Sequence, residues 1–240
     1  MSYHHFVDTT QDSRFAAIAD LRWTPWLGSR HQNSGEPKLL IIGESHYAEA
    51  SGGSSVESVR KHHEADQTFT REILWETIFG GGKKIKSIAS ITPLFVGTTK
   101  CRLEEFWKSV AFYNIVQRMV TPSERPSRDD FSLGWRVFVE VFRILKPDYC
   151  GFIGSQAHHT FWPSMKGVGA GMPDPKLGEK IGRCWSYPYD LRIDGMSIPI
   201  VFIQHPGRCF NSGRWHDYLL RKFPIEIKSL IERYEIQGVS

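Results

Sequence analysis

Four consecutive apolar residues, Leu39-Leu40-Ile41-Ile42, closed by Gly43, constrain this chain more than any other feature. They lack the alternation that marks a strand with one wet face. A short unbroken apolar run fits a strand buried on both faces, and such strands belong to parallel sheets sandwiched between helices. Three later stretches read the same way: 110–116, which carries the polar Asn114; 148–154; and 198–203, which runs directly into Gln204-His205-Pro206-Gly207. Between them lie segments with helical spacing at 68–79, 103–110, 131–145, 215–223 and 224–234. In the third of these, Leu133, Val137, Val141 and Ile144 recur at three- and four-residue steps, Asp129 or Asp130 is the candidate cap, and Lys146-Pro147 stops the helix. A short helix is expected from near Ser155 and an edge strand over 184–193, with loops at 28–37, 48–55, 83–86 and 167–182. Strands alternating with helices predict an α/β fold, a three-layer α/β/α sandwich around a central, mainly parallel four-stranded sheet. Residues 38–240 are expected to form one domain and residues 1–37 an extension packed on it.

The 240 residues suffice for a full core, and 40% hydrophobic with 23% charged residues excludes a disordered chain. No apolar run approaches the roughly 20 residues of a membrane span. The polar stretch 1–12 has no apolar core of a signal peptide, so the expectation is a cytoplasmic protein without a membrane partner. Cys101, Cys150, Cys184 and Cys209 form no C-x-x-C pair, which argues against a disulfide framework or a cysteine zinc site. His4-His5, His62-His63 and His158-His159 are adjacent pairs, and neighbours on a helix or strand point in different directions, so no metal is expected. A net charge of +4 permits an anionic partner without demanding one. The 13% aromatic content suits core filling and base stacking alike.

In open α/β sheets, ligands bind where polar residues follow the carboxyl ends of strands. Two such ends stand out, Gly43-Glu44-Ser45-His46-Tyr47 and Gln204-His205-Pro206-Gly207, with Asn114 approaching from a third strand. In order and spacing, these segments resemble the uracil-DNA glycosylase superfamily. Residues 39–47 are similar to its first motif, an apolar strand followed by Gly-Gln-Asp-Pro-Tyr or Gly-Glu-Ala-Pro-Gly. Phe112-Tyr113-Asn114-Ile115-Val116 resembles its strand with a base-reading Asn. Leu145-Lys146-Pro147-Asp148, leading to Gly154-Ser155-Gln156-Ala157, resembles its helix, Lys-Pro and strand. Ile203-Gln204-His205-Pro206-Gly207 is similar to its His-Pro-Ser motif. The signature is mixed. Glu44 matches the Glu of one branch and Tyr47 the Tyr of the other, while Ser45 stands where that other branch has Asp, His46 replaces a Pro and Gly207 replaces a Ser.

The resemblance implies a DNA glycosylase-like protein acting on a deaminated or damaged base such as uracil, in single- or double-stranded DNA, as a monomer without a cofactor. Cleaving an N-glycosidic bond leaves cationic character on the sugar and anionic character on the base, so a carboxylate and a hydrogen-bond donor are both needed. Glu44 is the candidate for the sugar side and His205 for the base side. Gly43, Ser45, His46, Tyr47, Phe69 and Asn114 are the candidate substrate-binding residues, with Asn114 reading the base edge, Tyr47 packing on the ring and Phe69 stacking. Pro206, Gly207, Arg208, Asn211, Ser212 and Arg214 are the candidates for phosphate contact. Two other readings stay open. One is a nucleobase- or nucleic-acid-binding module of the same fold without catalysis. The other is a serine hydrolase, because Gly43-Glu44-Ser45-His46-Tyr47 is one Gly short of a nucleophile elbow; Ser45 would attack, His205 would act as base, and Asp194 or Asp217 would orient it.

Overall fold

The structure, a computed structural model, describes residues 3–33, 35–50, 52–81, 85–154, 156–167, 171–175, 178–206 and 210–236. The first apolar run is a strand with all five residues buried, β2 (Leu39–Gly43). It is preceded by α1 (Asp12–Ala16) and β1 (Trp26–Leu27) and followed by β3 (His46–Tyr47). Next come α2 (Val56–Ala65), α3 (Phe69–Ile78), α4 (Lys86–Ala89), α5 (Ile91–Val96), α6 (Leu103–Ser109), β4 (Ala111–Asn114) and β5 (Met119–Val120). The second half holds α7 (Arg128–Leu145), β6 (Tyr149–Ile153), α8 (His158–Gly167), β7 (Gly171–Pro175), β8 (Glu179–Ile181), β9 (Cys184–Ile193), β10 (Met196–Ile203), α9 (Ser212–Lys222) and α10 (Pro224–Tyr234).

The fold is mixed α/β. The four expected strands are β2, β4, β6 and β10, and they run parallel in the order β4-β2-β6-β10. The sheet does not stop at four strands. Among the described residues β1 adds antiparallel to β4 at one side, β9 adds antiparallel to β10 at the other, and β7 and β8 pair with different stretches of β9. β9 is therefore not an edge strand. The expected loop over 167–182 also contains β7 and β8, whose Gly- and Pro-rich sequence hides their pairing. Lys86 opens α4 rather than closing a basic loop. Ser155, expected at the start of a helix, lies outside the described residues.

The missing alternation in β2 now has its cause. Successive side chains point to opposite faces, and both faces are covered. Leu40 and Ile42 pack with Trp135 and Phe138 of α7 and Phe161 of α8. Leu39 and Ile41 pack with Leu94 of α5, Phe106 of α6, Trp215 of α9 and Leu230 of α10. α7 starts three residues before the expected position. Its cap is Ser127, and Asp130 is the third helical residue of a reciprocal capping box, so neither Asp129 nor Asp130 is the cap itself. Gly134 lets this helix sit against the end of β4, because a Cβ there would come within 2.3 Å of the Ile115 carbonyl oxygen.

The N-terminal residues are tied to the site-bearing part of the fold. Buried Arg71 of α3 grips Asp12 with two bonds of 2.9 and 2.7 Å and donates to the Pro25 carbonyl. Trp23 donates from Nε1 to the His63 carbonyl at 2.9 Å and packs against Phe69. No helix among the described residues is long and apolar enough to cross a membrane.

Candidate functional site at the strand carboxyl ends

Because β2, β4, β6 and β10 run in one direction, their carboxyl ends meet along one sheet edge. A cavity of about 640 Å³ opens there. Gly43, Glu44, Ser45, His46, Tyr47, Phe69, Asn114 and His205 all line it, so every residue expected to serve the sugar or the base shares one space.

Gly43 lies opposite Asn114 in the parallel register. A Cβ on Gly43 would fall 2.0 Å from Asn114 Oδ1, so glycine is what allows the amide to lie across the strand end. The Asn114 backbone carbonyl accepts from Gln117 Nε2 at 2.7 Å. Its side chain is only 7% exposed and has no hydrogen-bond partner among the described residues. Glu44, the next residue after β2, is 8% exposed; its backbone carbonyl accepts from the Val116 amide at 3.0 Å, but its side chain makes no hydrogen bond or ion pair among the described residues. Gly154, at φ +150°, gives it room: a Cβ there would lie 2.9 Å from Glu44 Oε2. Burial pushes the Glu44 carboxyl above the usual carboxylate range, and the charge of Arg125 opposes that rise. Burial pushes the His205 imidazole down from its ordinary value, and Arg125 pushes it the same way.

Arg125 is thus a cation whose field reaches both candidate catalytic groups. It lies exposed in the loop between β5 and α7 and has no ion pair among the described residues. That loop is pinned by its neighbours. Arg118 binds Asp130 through two bonds of 2.7 and 2.8 Å and Glu124 at 2.6 Å, and Arg60 reaches Glu124 at 3.3 Å.

The aromatic wall is fixed by packing. His46 Nε2 meets Thr70 Oγ1 at 2.8 Å, and the ring packs edge-on against Trp23 and Phe69, each at 4.9 Å. Burial drives the His46 pKa to about 3, so this imidazole is neutral. Phe69 also lies 4.2 Å from the His63 ring. Tyr47, which also lines the cavity, is 37% exposed.

The serine-nucleophile reading does not survive the geometry. Ser45 Oγ is buried and has no hydrogen-bond partner, His205 included. Asp194 sits with Gly195 in the tight turn joining β9 to β10, both at positive φ, and it is paired with Arg143. His205 follows the other end of β10, roughly 25 Å away along an eight-residue strand. Asp217 is exposed on α9 and joins neither group.

Among the described residues, the candidate phosphate contacts Pro206, Asn211, Ser212 and Arg214 do not line the cavity. Asn211 caps α9 by accepting from the Arg214 amide at 3.0 Å, and Ser212 begins that helix. Asn211 and Arg214 line a second pocket of about 240 Å³ with Gln204, Arg183 and Trp215. Pro206 is buried and lines neither pocket. Gly207 and Arg208 lie outside the described residues.

Residues not anticipated from the sequence complete the cavity: Val59 and His63 of α2, Ile73, Glu76 and Thr77 of α3, Ile85 to Ile88 and Ile91 around α4 and α5, and Phe112 and Ile153 of the sheet. Phe112 and Ile153, as residues of recognised strands, and Ile73, as an apolar position of the 68–79 helix, were the ones that carried a signal. Among the described residues no three His, Cys, Asp or Glu side chains gather to hold a metal ion. Comparison with known proteins adds no relative: no family model matches the chain, and no curated protein is significantly similar to it.

Proposed function

We propose that this protein hydrolyses the N-glycosidic bond of a deaminated or damaged base in DNA, as a cytoplasmic glycosylase of the uracil-DNA glycosylase-like type. The observation that carries this reading is a single cavity shared by a buried carboxylate (Glu44) and an amide (Asn114), whose side chains have no partner among the described residues, and an imidazole whose pKa its surroundings lower (His205). Each suits one demand of the reaction. In the step, water adds to the anomeric carbon, the C–N bond electrons leave with the base, and the proton lost from water ends on the base. An ionised Glu44 stabilises the cationic sugar or orients the water. A neutral His205 donates a hydrogen bond to the base oxygen as negative charge builds there. Asn114 reads the edge of the base. The target bond is hidden in a duplex, so the base must flip out or come from a single strand.

Oligonucleotides carrying one uracil, hypoxanthine or xanthine, treated with protein and then hot alkali, test the proposal. Strand breakage at one of these bases that is lost in Glu44→Gln and reduced in His205→Ala is expected. Absence of breakage on every single- and double-stranded substrate contradicts it.

One observation favours a second reading, a base-binding module without hydrolysis. Ser45 stands where one branch of the resembled superfamily has a water-positioning Asp, and its hydroxyl is buried without a hydrogen-bond partner. Salt-sensitive binding of a modified-base oligonucleotide without breakage is the signature of that reading.

A further inference from the structure

The cavity is larger and more apolar than the polar strand-end groups require. Glu44, Asn114 and His205 lie at the sheet edge. The helical elements contribute Phe69 and Ile73 of α3 and Ile85, Ile88 and Ile91 around α4 and α5, interspersed with Glu76, Thr77, Lys86 and Ser87. At about 30 Å³ for each water-sized group, 640 Å³ holds roughly twenty such groups, more than the base of a flipped nucleotide supplies by itself. Cavities of this size belong to ligands of drug-like dimensions. If a bare base alone met the strand-end groups, these apolar side chains would be left against water, which is unfavourable in proportion to their area. Phe69 is locked by His46, His63 and Trp23, so the wall does not collapse by a simple ring flip.

We infer that the site takes a nucleobase bearing a bulky apolar substituent, with the base at Glu44, Asn114 and His205 and the substituent against Phe69, Ile73, Ile88 and Ile91. This rests on the base-recognition reading above and names its substrate class as adducted or hypermodified bases rather than a bare deaminated one.

Free bases separate binding from cleavage. Calorimetry with two matched pairs, adenine against N6-benzyladenine and uracil against 5-phenyluracil, reads the apolar arm directly. In at least one pair the substituted base is expected to bind about tenfold or more tightly than its bare partner, the gain from burying one aromatic ring. Ile73→Trp and Ile88→Trp each place a ring in that arm, and either folded variant should bring the two members of the pair within about twofold of each other. Ile73 is only half-buried and so tolerates the change better. Equal or weaker binding of both substituted bases overturns the inference, as does a gain that survives in both variants, and so does a lack of binding by any base. Excision of a bare base without a substituent preference removes this inference alone. A substituent preference without excision from any oligonucleotide removes the hydrolase reading alone.

Discussion

Glu44 is held between two opposing influences, burial that favours its neutral form and the cation of Arg125 that favours its charged form. His205 feels the same cation with the opposite consequence for burial, since both effects keep its imidazole neutral. Replacing Arg125 with Gln therefore has a two-part signature. The pH at which activity rises should move upward, because Glu44 then ionises later, and the His205 ring should titrate at a higher pH by NMR. Movement of either group downward contradicts the assignment. Gly43→Ala is a steric probe of the same site. A methyl group 2.0 Å from Asn114 Oδ1 must expel the amide, so base binding should fall at least tenfold while Glu44 stays in sequence register. At this scale the sequence was partly legible. Glu44, Asn114 and His205 stood out because each ends or follows an apolar strand. Arg125 did not, because nothing local separates it from Arg118 or Arg128 in the same charged stretch. Asp194 was misleading, since chain order cannot say which end of a strand a residue occupies.

At the scale of elements, the four parallel strands were readable because burial on both faces leaves unbroken apolar runs. Of the helices that wall the cavity, α3 was readable over 68–79, but α2, α4 and α5 were not. α2 has no buried residue and so lacks a strong apolar stripe, while α4 and α5 span only four and six residues. Their role comes from tertiary position. Of the antiparallel additions, β9 was readable over 184–193, while β1 and β8 were hidden for a related reason, having two and three residues. The fit of α7 against β4 can be tested at Gly134. Alanine there gains up to about 1 kcal/mol of helix propensity. Its Cβ, however, lands 2.3 Å from a backbone oxygen that cannot easily retreat, and overpacking typically costs about 1–3 kcal/mol. The expected outcome is a net loss, seen as a melting temperature lower by about 2–4 °C for each kcal/mol. An unchanged or raised melting temperature would show that α7 has slack against the sheet.

Across the whole molecule, three histidines on different elements are held neutral by burial. His31 and His158 are lowered to about 4 and His46 to about 3, against an ordinary value of 6.5. Between those values the unfolded chain binds protons that the folded chain refuses. Stability should therefore fall as pH drops from about 6.5 toward 4, by about 1.4 kcal/mol per pH unit for each such proton. Glu44, raised by burial, works in the opposite sense, one group against these three and the likewise lowered His63 and His205. Denaturant midpoints that stay flat over this range would contradict the burial of these rings. The modest net charge of +4 places any nucleic-acid affinity on local groups rather than on a global field. Oligonucleotide binding should still weaken linearly in log–log plots against salt, with a slope set by the few phosphates contacted.

The central claim is that a buried carboxylate at the end of β2 drives cleavage of a glycosidic bond. Single-turnover excision of a modified base, followed across pH for the wild type and Glu44→Gln, tests it most directly. The account predicts a wild-type rate that rises through a pKa above the usual carboxylate range, and a variant that binds the oligonucleotide but is slower by about a hundredfold or more with no such rise. A Glu44→Gln protein that cleaves at the wild-type rate, with the wild-type pH dependence, would contradict it.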